Sequence, residues 1–120
     1  MLQATEIRDR VGATSAARPS PSVKSNSMFA IAFDLDTATL EATYPGPSWN
    51  NAYGEIEKVL GIRGFRKQQG SVYFGNEKVT SVTTMLAVQD LSHKFDWFKD
   101  SVRDIRMLRI AEDDDLSLVL

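Results

Sequence analysis

Apolar positions change their spacing several times along the chain, and each change marks an element. From Met28 to Leu35 the residues Phe29, Ile31, Phe33 and Leu35 alternate with Ala30, Ala32 and Asp34. That period of two is the signature of a β-strand, and both of its faces are mostly apolar. The strand is therefore expected to be central and covered on both sides. Its small-residue face suits close contact with another layer or a partner subunit, and Asp34 stands on that face at the C-terminal end. Tyr44-Pro-Gly-Pro reads as a loop. After it Trp49, Ala52, Tyr53, Ile56, Val59 and Leu60 recur at helical spacing, with Ser48 as the expected cap and Gly61 as the stop.

The stretch Phe65–Phe74 forms two short strand-like runs around Gly70, where a positive φ would close a hairpin. Residues 77–91 carry Val79, Val82, Met85 and Leu86 at helical spacing behind Asn76 as a cap. Thr80, Thr83, Thr84 and Val88 lower helix propensity there, yet about fifteen residues is long for a strand, so a helix is predicted. Trp97 and Phe98 open a turn or short helix. A last strand runs from about Asp104 to Ile110, with Ile105 and Met107 opposite Leu108 and Ile110 only if the edge is irregular. Strand, helix, strand, strand, helix, strand is the α+β, ferredoxin-like βαββαβ order. Two helices cover one sheet face, and the alanine face needs its own cover, which pairing of two copies into a homodimer would supply.

Size and composition narrow the classes. The chain has 120 residues, 42% hydrophobic and 25% charged, which fits one soluble globular domain. It lacks an apolar run near the roughly 18 residues of a membrane span, so no membrane association is expected and cytoplasmic residence is the default. The absence of cysteine excludes disulfides, thiolate catalysis and sulfur-ligated zinc, and one histidine, His93, excludes a multi-histidine metal site within a subunit. Residues 1–27 are polar and rich in Ala, Ser, Pro and Arg; they read as a disordered extension, or as a stretch preceding a true start at Met28. The folded domain is expected over residues 28–112, followed by an acidic and aliphatic tail over 113–120. Charge is uneven: Arg8, Arg10, Arg18 and Lys24 against Glu6 and Asp9 give +2 at the start, Glu112–Asp115 give −4, and the stretch between is neutral. Without a basic excess, an extended grip along nucleic-acid phosphates is not expected.

Several motifs resemble the VapD (virulence-associated protein D) family in the same order and with similar spacing. They are Ala-Phe-Asp-Leu at 32–35, Gln-Gly-Ser-Val-Tyr at 69–73, Trp97 and Ser-Val-Arg-Asp-Ile-Arg at 101–106, with Ala52-Tyr53 and Gly64-Phe65 between them. The resemblance covers residues 28–112. It implies a ferredoxin-like homodimer related to the small CRISPR-associated adaptation nucleases, with endoribonuclease activity on single-stranded RNA or mRNA. It also implies a toxin role paired with an antitoxin protein. The chain departs from the family in Asp36-Thr-Ala-Thr after Leu35, in its acidic, aliphatic C-terminus where the family has a more aromatic tail, and in residues 1–27.

Asp34, Arg103 and Asp104 are the catalytic candidates. RNA cleavage needs a base for the 2′-hydroxyl and a stabiliser of phosphate charge, or else carboxylates that hold a metal ion. The resemblance implies that Asp34 faces its symmetry mate across the dimer, where the two could hold Mg²⁺; the residue's other reading is a cap for the following turn. Arg103 and Arg106 could meet phosphate through a guanidinium fork; the other reading of the Arg103–Asp104–Arg106 cluster is an intramolecular or intersubunit ion pair that fixes the dimer. Gln69, Ser71, Tyr73 and Arg106 are the substrate-binding candidates, with Ser71 and Tyr73 on one face of the hairpin. Asp36 is a weaker carboxylate candidate, Trp49 and Trp97 read as core or interface anchors, and His93 reads as a surface histidine. Two other classes compete. Ala-Ile-Ala-Phe-Asp-Leu-Asp-Thr (30–37) is similar to the first motif of haloacid-dehalogenase-like phosphotransferases, but a hairpin and a short chain leave no room for their parallel sheet. A non-catalytic ferredoxin-like dimeric binding or regulatory module is the alternative that the low basic content favours.

Overall fold

A computed structural model describes residues 27–120. Its elements are β1 (Met28–Leu35), α1 (Thr37–Thr43), α2 (Asn51–Ile62), β2 (Phe65–Gln69), β3 (Val72–Gly75), α3 (Ser81–Lys94), α4 (Asp96–Ser101) and β4 (Val102–Ile110), with a short 3-10 turn at Ser117–Val119. The strands form one antiparallel sheet in the order β2-β3-β1-β4, so β1 is central as its two apolar faces require. The α+β architecture, with α2 and α3 as the two long connections, is consistent with the ferredoxin-like βαββαβ arrangement. Among the described residues no strand pairs in parallel, which removes the phosphotransferase reading.

All four helices pack on one sheet face. Ile31, Phe33 and Leu35 of β1 and Tyr73 of β3 meet Leu40, Ile56, Leu60, Leu91, Trp97 and Phe98 in a single core. Phe33 anchors it, with its ring 6.0 Å from both Tyr73 and Phe98. Such aromatic pairs add about 0.5–1.5 kcal/mol each beyond their buried area. Trp97 stacks on Phe95 at 4.6 Å and meets Tyr44 edge-on at 5.3 Å, so it is the core anchor the sequence indicates. Trp49 is half-buried against Tyr53. The other sheet face carries Ala30, Ala32, Asp34, Phe74, Arg106 and Leu108, which are cross-strand neighbours. Ala30 and Phe74 are buried, residues Asp113–Leu116 lie beside Phe74, and among the described residues none of the four α-helices packs its core residues on this face.

Several local expectations need correction. Helix α1 was not expected: with one buried residue, Leu40, its seven residues are too short to show a period. Its start is held by Asp36, whose carboxylate accepts from the Thr39 hydroxyl at 2.6 Å. Helix α2 begins at Asn51 rather than behind Ser48, and Gly61 lies inside it. The chain reverses instead at Gly64, whose φ of 94° suits glycine, while Gly70 has φ 41° in the expected hairpin. Helix α3 starts four residues later than predicted. Asn76 accepts from Lys78 N at 2.8 Å in a local turn, and Thr80 is the cap, its hydroxyl accepting from Thr83 N at 3.1 Å. The threonines that lower propensity thus serve the helix: buried Thr84 donates to the Thr80 carbonyl at 2.8 Å. In β4, plain alternation places Ile105 and Met107 opposite Leu108 and Ile110, and the irregularity lies lower, where Asp34 pairs with Asp104 but Leu35 with Val102. The expectation for residues 1–27 falls, apart from Ser27, outside the described residues. Among the described residues no helix is long and apolar enough to cross a membrane.

Candidate active site

The end of β1 and the start of β4 gather most of the charged candidates. Register places Asp34 directly opposite Asp104 and Ala32 opposite Arg106. Directly opposed residues on one sheet face bring their Cβ atoms within about 5 Å, and like charges there repel. Arg106 relieves part of this: its Nε lies 3.1 Å from both carboxylate oxygens of Asp104. That pairing also holds the guanidinium above its usual pKa. Asp34 makes no side-chain hydrogen bond or ion pair among the described residues and is exposed on the uncovered sheet face. Its turn-capping reading fails, because the residue capping the turn after β1 is Asp36.

Arg103 is the extra residue of the β-bulge, skipped between the pairs Asp34–Asp104 and Leu35–Val102. Bulges re-aim a side chain, and here Arg103 turns to Asp36, with Nη2 3.3 Å from Oδ1. The Asp36 carboxyl sits below its ordinary pKa, first because the Thr39 hydroxyl donates to it and then because of the Arg103 charge. Its backbone N–H donates to the Ser101 carbonyl at 2.7 Å, which ties the end of β1 to the start of β4. Asp34, Asp104, Arg106, Asp36 and Arg103 therefore share one end of the sheet. Arg103 has a carboxylate partner in place, so it matches the ion-pair reading weighed against its phosphate role.

The hairpin candidates divide. The Ser71 carbonyl accepts from Phe33 N at 3.1 Å, which brings the hairpin tip beside the end of β1. Ser71 is half-buried and Gln69 is exposed. Tyr73 corrects the sequence reading: it is 1% exposed, on the helix-covered face, so it cannot touch RNA. Burial pushes its hydroxyl up to about 12. His93 lies on α3 in a shallow groove with Val59, Ile62, Asp90 and Lys94, on the helical side of the sheet and away from Asp34. The neighbouring Asp90 is bound by Arg63 at 2.7 and 3.2 Å and titrates below its ordinary value chiefly for that reason.

What sequence reasoning missed is the Asp34–Asp104 pairing itself. Seventy residues separate the two, and only strand register joins them; the adjacent Arg-Asp-Ile-Arg spacing was the visible half of the signal.

No family model matches the chain. Curated relatives do. The chain is 46% identical over 89 residues to endoribonuclease VapD 2 of Riemerella anatipestifer, covering 74% of this chain and 95% of the relative. It is 45% identical over 93 residues to endoribonuclease VapD of Dichelobacter nodosus, covering 78% and 97%. The chain belongs to the VapD family. A VapD homologue of Helicobacter pylori, also called an endoribonuclease, is 42% identical over 89 residues, covering 74% and 92%. VapD membership gives the carboxylates at the end of β1 and on β4 a chemical context, because relatives of nearly the same folded length bear the name of an RNA-cleaving enzyme.

Proposed function

We propose that this VapD-family chain is an endoribonuclease that cleaves single-stranded RNA on the uncovered sheet face. The observation that carries the reading is Asp34, without a side-chain partner among the described residues and opposite Asp104, with Arg106 alongside. In this reading Asp34 accepts the proton of a 2′-hydroxyl, whose oxygen then attacks the adjacent phosphorus while the 5′-oxygen leaves. The carboxylic acid formed in the first transfer is the proton source for that leaving oxygen. Arg106 faces the phosphate charge, and Asp104 holds its guanidinium in position.

Among the described residues no three metal-ligating side chains converge. Asp34 and Asp104 nonetheless offer hard oxygen donors of the kind that hold Mg²⁺ when water and phosphate oxygens fill the other positions, and the ion would supply polarisation of the phosphate.

The active form in this reading is a homodimer through the uncovered face, which would bring the two Asp34 carboxylates together. Its support is the small-residue row of this face, where Ala32 and Val72 are half-buried beside Leu108, which is 43% exposed. A toxin role with an antitoxin protein belongs to the same reading and is supported by family membership.

The test is cleavage of labelled single-stranded RNA, with Mg²⁺ or with chelator. Asp34→Asn, folded by circular dichroism, is expected to lose at least ~100-fold in rate, the lower end of what a general base contributes. Unchanged cleavage would remove Asp34 from the mechanism. A folded wild type that binds RNA without cutting it would favour the binding-module class.

A further inference from the structure

A groove on the far side of the hairpin from Asp104 remains unused by this mechanism. Arg66 of β2 pairs in register with Phe74 of β3, and its guanidinium carbon lies 5.7 Å from the ring centroid. Arg66, Gln68, Gln69 and Phe74 form one wall of a groove of about 570 Å³, and Asp113–Leu116 of the chain's own tail form the other. One wall is cationic and rich in amides; the other is a row of carboxylates.

We propose that this groove is a subsite for the single-stranded RNA flanking the scissile bond, and that Asp113–Asp115 cover it in place of RNA phosphates. The proposal rests on the endoribonuclease reading. A guanidinium seated on an aromatic ring presents a flat cation on which a base stacks or a phosphate lands. The side-chain amides of Gln68 and Gln69 carry both donors and acceptors for base edges. The groove also leads to the right place. Gln69 lies next to the hairpin tip, which the Ser71–Phe33 hydrogen bond holds at the end of β1 where Asp34 stands.

The tail is built to lift. Its hydrogen bonds are local, Ser117 N and Oγ donating to Asp115 Oδ1 at 2.9 and 2.7 Å. Among the described residues no ion pair ties its carboxylates to Arg66. Leu118 is 96% exposed and Val119 79%, so burial does not anchor the tail either. Its carboxylates nevertheless repel phosphate from the groove, and an RNA strand must displace them to enter.

The test is anisotropy of a fluorescein-labelled single-stranded RNA against full-length protein in an Asp34→Asn background, which prevents cleavage during the measurement. Neutralising the tail (Asp113→Asn, Asp114→Asn and Asp115→Asn together) is expected to tighten binding about tenfold, with a steeper salt dependence. Neutralising Glu41, Glu57 and Asp100 on the helical layer to Gln, Gln and Asn controls for net charge and is expected to tighten it less than threefold, on the order of a screened long-range effect. Arg66→Gln is expected to weaken binding and to reduce the tail effect to that of the control. A tail variant that equals the control, or a tail effect that persists with Arg66→Gln, overturns the proposal. If RNA is cut at the Asp34 site but no groove or tail substitution changes binding, the subsite falls and the nuclease reading stands. If the parent neither binds nor cuts RNA, the nuclease reading falls and the subsite with it.

Discussion

Asp34 and Asp104 oppose each other across adjacent strands, and among the described residues only Asp104 has a cation against it. Like charges opposed in this way lower stability. Asp34→Asn is therefore expected to raise unfolding free energy by about 0.5 kcal/mol in urea denaturation while cleavage is lost; a loss of stability would show that Asp34 has a structural role instead. Tyr73 illustrates the opposite case, a polar group without a functional place. Its hydroxyl is buried and has no protein hydrogen-bond partner among the described residues. Its pKa is raised from 10.0 to about 12, so the stabilisation of the neutral form is fully present below pH 10 and is lost as pH rises towards 12. Tyr73→Phe should preserve cleavage and the neutral-pH melting temperature, and it should flatten the loss of stability above pH 10. A variant that fails to cleave while remaining folded would return Tyr73 to the site.

Among the elements, α3 and the turn after α2 hold information that periodicity does not display. Thr80 caps α3 through its hydroxyl, so Thr80→Ala is expected to cost about 1 kcal/mol in chemical denaturation. An unchanged midpoint would mean that water replaces the cap. Gly64 has φ 94°, and a Cβ there would stand 2.9 Å from Asn76 Nδ2 and 3.1 Å from Val79 Cγ2. Gly64→Ala should lower stability by more than ~1 kcal/mol, through both positive φ and crowding, whereas Gly70→Ala, with open space around it, carries only the positive-φ strain. Equal melting temperatures for the two variants would contradict this. The β4 bulge shapes the candidate site. By skipping Arg103 it keeps Asp104 and Arg106 on the face of Asp34, and it lets Asp36 hold Arg103 at the sheet's end.

For the whole molecule, the one-sided helical layer is the dominant fact. One sheet face packs against the helices through an aromatic and aliphatic core; the other presents Ala32, Leu108 and the charged cluster at its end. If that face joins two copies, Ala32→Arg should convert a sedimenting dimer to a monomer with little change in the stability of the isolated subunit. A wild type that sediments as a monomer at high concentration would end the dimer reading.

The chain's own order of residues settled where β1, the hairpin and the long helices lie, and it marked Asp34, Asp104 and Arg106 as candidates. Those features are local, because alternation, helical spacing and turn chemistry are written within a few residues. It could not show α1, which has one core residue, or the true cap of α3, where several threonines and an asparagine compete for the role. It also could not separate Ser71 from Tyr73. Strand alternation says which residues share a face, but which face the helices cover is decided only when distant segments pack. The opposition of Asp34 and Asp104 and the return of the acidic tail to Arg66 are long-range in the same sense: register and packing, not neighbouring residues, bring them together.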